Sequence, residues 1–143
     1  MKKYKAMKIA NYIIRKCSED GCPITNLQLQ KIMYFLQREY LQSKNVPLFD
    51  DEIQAWQFGP VVPEVYYRYC VFGAMPITII DKMADLNKCD ADIINPIIEE
   101  KRKLYPWDLV EETHQEGGAW DTVYDNGRGN RKVIPTEFIK ARG

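Results

Sequence analysis

Thr25 to Leu41 reads TNLQLQKIMYFLQREYL, and its periodicity decides the fold class. Leu29, Ile32, Met33, Leu36 and Tyr40 recur at spacings of three and four, the period of an amphipathic helix. Thr25 followed three residues later by Gln28 makes a capping box, and Ile24 with Leu29 occupies the positions of a hydrophobic staple. The pattern predicts a helix that ends near Asn45, before Pro47, with Gln30, Lys31, Gln37 and Arg38 mostly off the apolar stripe.

Upstream, Tyr4, Met7, Ala10, Ile13, Ile14 and Cys17 repeat the same period and predict a helix over Lys3 to Lys16, broken by Gly21 and Pro23. Downstream, Glu52 to Phe58 alternates like a short strand, Gly59 and Pro60 have turn chemistry, and Pro63 suits the first turn of a third helix. That helix is expected to run to Gly73 with Val65, Tyr66, Tyr69 and Cys70 inward. Farther on, Asn95 and Pro96 read as cap and first residue of a helix ending near Leu104. Pro106 opens another through His114, which Gly117 and Gly118 terminate. A short segment over Trp120 to Tyr124 and a loop from Asp125 to Asn130 follow, and Val133 with Ile134 is expected to pair with the strand near Trp56. The expectation is a mainly α fold: one compact helical domain over residues 1–143 with a short two-stranded β ribbon.

Composition bounds the function. The chain has 143 residues, 45% apolar and 28% charged, an ordinary globular balance. Lys plus Arg and Asp plus Glu stand at 20 each, so no overall field draws it to nucleic acid or an anionic membrane. The longest apolar runs, such as Ile77 to Ile80, fall far short of the ~20 residues of a membrane helix. The N-terminus lacks the apolar stretch of a signal peptide, so the expected location is the cytoplasm, with Cys17, Cys22, Cys70 and Cys89 reduced and read as core thiols.

The residues offer little for catalysis or cofactors. Cys17 and Cys22 form the one close cysteine pair and His114 is the sole histidine, which argues against zinc. Glu111 could orient His114 from the same helix, but no nucleophile motif accompanies them. Gly127 and Gly129 lack the rest of a phosphate-binding motif and read as a turn, and the paired acids along the helices read as solvated faces. Basic residues cluster at Lys2, Lys3, Lys5 and Lys8, at Lys101 to Lys103, and at Arg128, Arg131 and Lys132. Ordinary surface roles explain each cluster, although a local nucleic-acid patch stays open. No enzyme activity, metal or cofactor is expected.

One constellation exceeds what generic folding requires. EIQAWQFGPVVPEVY from Glu52 to Tyr66 is preceded by LQLQKIMYFLQREYL from Leu27 and PLF from Pro47, and followed by LVEETHQEGGAW from Leu109. Together with Ile134 and Ile139 these segments resemble the Panacea antitoxin domain family of SocA-like and GepA-like phage-associated proteins, over about Ile9 to Ile139. Gly117, Gly118 and Ala119 before Trp120 depart from the family's serine or proline approach, which bears on partner choice.

The resemblance implies a non-enzymatic component of a bacterial or prophage toxin-antitoxin system that neutralises a neighbouring-gene toxin by direct complex formation. Its partner would be a cognate protein toxin; a protease, a second copy of the chain and nucleic acid stay open as further partners. The motif positions are Lys31, Tyr34, Trp56, Phe58, Gly59 and Pro60, then Val61, Tyr66, Thr113, His114 and Trp120. Each also has a structural reading. Trp56 is expected in the core, Gly59 and Pro60 in the turn, and Tyr66, His114 and Trp120 in a polar-aromatic cluster where His114 is a hydrogen-bonded brace. Two rival functions are a DNA-binding regulator of its own operon, using helices as a helix-turn-helix, and an enzyme centred on His114.

Overall fold

Helix α2, Asn26–Lys44, runs through the middle of the molecule. The computed structural model describes residues 4–81 and 85–143, so the expectations placed on Lys2, Lys3 and the start of the first helix lie partly outside the described residues. Around α2 stand α1 (Ala6–Glu19), the ribbon strands β1 (Gln54–Trp56) and β2 (Gly59–Val61), and α3 (Pro63–Tyr69) with a 3₁₀ turn over Cys70–Phe72. Helices α4 (Lys88–Lys101), α5 (Pro106–Thr113), α6 (Ala119–Tyr124) and α7 (Thr136–Arg142) complete the described elements. The fold is mainly α with a small antiparallel ribbon, as the periodicity predicts. Among the described residues no helix is long and apolar enough to cross a membrane.

The start of α2 follows the sequence signal closely. Gln28 N–H donates to Thr25 Oγ1 at 3.2 Å and Thr25 N–H donates to Gln28 Oε1 at 2.9 Å, which closes the capping box. At the other end Asn45 takes the left-handed conformation of a C-cap. The apolar stripe is buried as expected, but the polar residues expected off it are buried too: Gln30, Lys31 and Gln37 are each 1% exposed or less. The reason is crowding, because α1, α3, α4, α5, α7 and β2 all pack on α2 and leave it no solvent face along this stretch.

Those buried side chains satisfy the backbones that pack against them. Gln37 Oε1 accepts from Leu48 N–H at 2.7 Å while its Nε2 donates to Phe49 O at 2.9 Å. Gln30 Oε1 accepts from Val62 N–H at 2.9 Å, and its Nε2 is tied to Asn26 Oδ1, whose own amide donates to Tyr66 O. A loop carries donors and acceptors that cannot be buried unpaired, so the amides of α2 let loops enter the core.

Four expectations are corrected. Gly59 and Pro60 lie in β2, paired with Trp56 and Ala55, and the hairpin turn is 57–58. Proline fits because a two-stranded ribbon leaves an edge where its missing N–H is not needed. Helix α4 begins at Lys88, with Asn87 capping Cys89 N–H, and carries Pro96 inside. Ile94 and Ile98, both fully buried, hold that helix together across the hydrogen bond that proline removes. Of the four cysteines only Cys17 is buried; Cys22 is half-buried, and Cys70 and Cys89 are exposed. Tyr66, expected inward, is half-buried because α3 turns only Val65 and Tyr69 fully to the core. Helix α7, too short to show a clear apolar period, is docked by the buried Ile139.

The third segment expected beside the ribbon is present. Ala55 N–H donates to Lys132 O at 2.8 Å and Ile134 N–H donates to Ile53 O at 2.8 Å, with a bridge between Gln54 and Val133. Removal of one amide clamp tests the role of α2. Gln37→Ala strands Leu48 N–H and Phe49 O in the core, and is expected to cost about 2 to 4 kcal/mol, read as a melting temperature lower by several degrees. An unchanged melting temperature would show that the loop carries its own polar groups without α2.

Candidate partner-binding cleft

β1 obeys the period of two. Ala55 faces the core and is fully buried, so Trp56 beside it must face the other way. Trp56 is therefore half-buried where the sequence reading expected a core residue, and it forms a wall instead. Tyr66 packs edge-on against it with ring centroids 5.0 Å apart, and the Arg131 guanidinium lies 4.0 Å from its ring centroid. Between this wall and α2 lies a cavity of about 510 Å³, lined also by Phe58 and Val61 of the ribbon and by Asn26, Gln30 and Lys31 of α2. At its rim the ring of Phe58, 48% exposed, meets that of Trp107, 60% exposed, edge to face at 5.3 Å.

Against Gly59 and Pro60 of the ribbon sits a buried polar group built from further motif residues. Lys31 is fully buried and its Nζ donates to Pro60 O at 3.0 Å. Gly59, at φ +114°, makes room for it: a Cβ there would stand 2.8 Å from both Lys31 Cε and Thr113 Oγ1. Thr113 Oγ1 donates to Val110 O at 2.7 Å within α5. His114 stacks on Trp120 with centroids 3.7 Å apart and planes 2° from parallel, and Trp120 stacks in turn on Tyr124. Trp120 Nε1 donates to Trp56 O at 2.7 Å, which joins this stack to the ribbon.

The expected polar-aromatic cluster is thus divided. His114 and Trp120 meet, while Tyr66 belongs to the cleft wall with Trp56. His114 braces by stacking rather than by a side-chain hydrogen bond: its buried Nε2 has no partner among the described residues. Tyr34 is apart from both groups, buried beside Phe35 near the end of α7. The residue that sequence reading passed over is Arg131. Its sequence neighbours suggested only a surface cluster, and its place over Trp56 depends on the pairing of 131–134 with β1.

Burial dominates the electrostatics. Desolvation brings Lys31 down to about 7 from the usual 10.5. His114 is also lowered, first by burial and then by the Lys31 charge. Both folded pKa values lie below their unfolded ones, so between the two values the unfolded chain holds more protons and stability rises with pH. For Lys31 that window opens near pH 7. Near pH 9 it meets an opposing effect from Cys17, whose burial pushes its thiol up to about 11. Stability is expected to climb between those limits by up to roughly 1.4 kcal/mol per pH unit. Lys31→Met should flatten the climb and lower stability by about 1 to 3 kcal/mol where the lysine is neutral, since it leaves Pro60 O without its donor. Melting curves of both proteins across this range check it; a parallel pH dependence would remove Lys31 as the cause.

Residues 29–121 match the antitoxin SocA-like, Panacea domain. The chain is also similar to Antitoxin SocA of Caulobacter vibrioides (strain NA1000 / CB15N), 32% identical over 136 residues that cover 87% of this chain and 72% of that protein. No solved structure matches it.

Proposed function

The chain belongs to the antitoxin SocA-like family with its Panacea domain, and from that premise we propose that it neutralises the toxic product of a neighbouring gene by holding it in a direct complex. An antitoxin works by binding, and a toxin is the partner its family implies. The observation that carries the reading further is the exposed aromatic pair Phe58 and Trp107 at the mouth of an aromatic cleft. Large aromatic rings left in water beside a concave surface are what the centre of a protein interface is made of. The motif then has two jobs: Lys31, Gly59, Pro60, Thr113, His114 and Trp120 hold the ribbon, and Trp56, Phe58, Val61 and Tyr66 form the surface the toxin meets.

The operon-regulator reading loses its best helix. Gln30, Lys31 and Gln37 of α2 are buried and already bonded to neighbouring backbone or side chains, so α2 cannot lie in a DNA groove.

Co-expression tests the proposal. The neighbouring gene alone should arrest growth, and this protein should relieve the arrest and co-purify with the product. Phe58→Asp with Trp107→Asp should change the melting temperature little, because both residues lie at the surface and their rings pack on each other, while weakening the complex by about 2 kcal/mol or more. Rescue without co-purification would sink the direct complex, and rescue by the double variant at full strength would move the interface elsewhere.

A further inference from the structure

We infer that the cleft recognises a carboxylate carried beside an apolar side chain on the partner protein, and that Arg131 is the residue that reads it. This rests on the antitoxin reading above and specifies the chemistry of the segment that is bound.

The lining is the first observation. In a chain whose acids and bases balance at 20 each, the cleft lining contains Lys31 and Arg131 and no carboxylate, and of the two Lys31 is buried while Arg131 is exposed. Neither cation has an acidic partner among the described residues. Lys31 donates to a peptide carbonyl, and Arg131 Nη1 donates to Tyr67 Oη at 3.1 Å. Nearby Arg128, by contrast, is paired with Asp125. With its Cζ 4.0 Å from the Trp56 ring centroid and only Nη1 seen donating to a side chain, the guanidinium retains further N–H donors, and its planar fork is the group that binds a carboxylate through two parallel hydrogen bonds.

The backbone supplies a second, independent observation. Four non-glycine residues among those described have positive φ: Asn45, Asp125, Asn126 and Arg131. Three are of the types that tolerate this region, and Arg131, at φ +68°, is not. Its conformation is fixed by its own N–H, which donates to Ala55 O at 2.6 Å, so the strain is built into the ribbon. For folding alone, glycine or asparagine would suit the position better. Arginine there places a guanidinium against Trp56 at the cleft, and strained backbone held by its surroundings is characteristic of binding sites.

The aromatic walls decide what accompanies the anion. Trp56, Tyr66 and Phe58 suit an apolar side chain next to the carboxylate, and the basic residues form a point in an aromatic cleft rather than the stripe that tracks a phosphate backbone.

The test uses the whole protein and three fluorescein-labelled probes: a short peptide alternating glutamate and leucine, the same peptide with glutamine for glutamate, and a short oligothymidylate. The acidic peptide should bind, and the glutamine peptide should bind about tenfold more weakly, the loss expected for one charged hydrogen-bonded contact. Arg131→Asn, which suits the left-handed backbone, should melt no lower than the parent yet bind both peptides alike. Arg131→Lys should recover part of the preference, because it restores the charge without the planar fork.

The inference is overturned if the parent binds neither peptide, if it fails to distinguish them, or if Arg131→Asn keeps the preference. Tighter binding of the oligonucleotide would make the site one for phosphate. A melting temperature several degrees lower in Arg131→Asn would assign the arginine to the fold instead. Preference for the acidic peptide without rescue in co-expression would sink the antitoxin reading alone, whereas full rescue by Arg131→Asn would sink this one alone.

Discussion

A helix can be surrounded on all sides only if every polar group brought against it finds a partner, and α2 meets that condition with its own side chains. Asn26, Gln28, Gln30 and Gln37 each bond a neighbouring side chain or a backbone group of a loop or strand. The consequence is a core in which loops, and not helices alone, are structural. Phe49, fully buried, sits in such a loop, and so does the approach to the ribbon. An apolar α2 of the same shape would pack its helical neighbours but leave those loop backbones unpaired, at a cost of about 1 to 3 kcal/mol for each group.

Lys31 departs from this scheme. An amide in its place could have met Pro60 O without burying an ionisable group, and burial lowers the lysine to about 7. The position also forces Gly59, since a Cβ there would collide with Lys31 and Thr113. The lysine, the glycine and the threonine therefore form one steric unit, although they come from α2, β2 and α5. Around it, the stack of His114, Trp120 and Tyr124 is fastened to Trp56 O, so that the inner and outer faces of the ribbon are held by different parts of the chain. Rigidity of this kind suits a binding surface, because little ordering is left to be done when the partner arrives.

The charge arrangement complements that rigidity. Most basic groups seen in ion pairs, such as Lys16 with Asp20 and Glu99 or Arg102 with Asp20, lie on helix surfaces and serve the fold. Lys31 and Arg131 stand outside those pairings and meet at the cleft from opposite ends of the chain.

Local signals settled what depends on a few adjacent residues. The capping box at Thr25 and Gln28, the left-handed stop at Asn45 and the helix openings at Pro63 and Pro106 appear where the sequence puts them, because caps and prolines act within one turn. The family was legible as well, since its motif is a spacing of residue types. Tertiary structure alone decided three things. It buried Gln30, Lys31 and Gln37, because burial depends on how many elements surround a helix and not on its own period. It ran α4 back to Lys88 through Pro96, because the packing of Ile94 and Ile98 outweighs one lost hydrogen bond. It also carried Arg131 onto Trp56, a contact no periodicity could announce, because the pairing of 131–134 with β1 is set by long-range backbone hydrogen bonds.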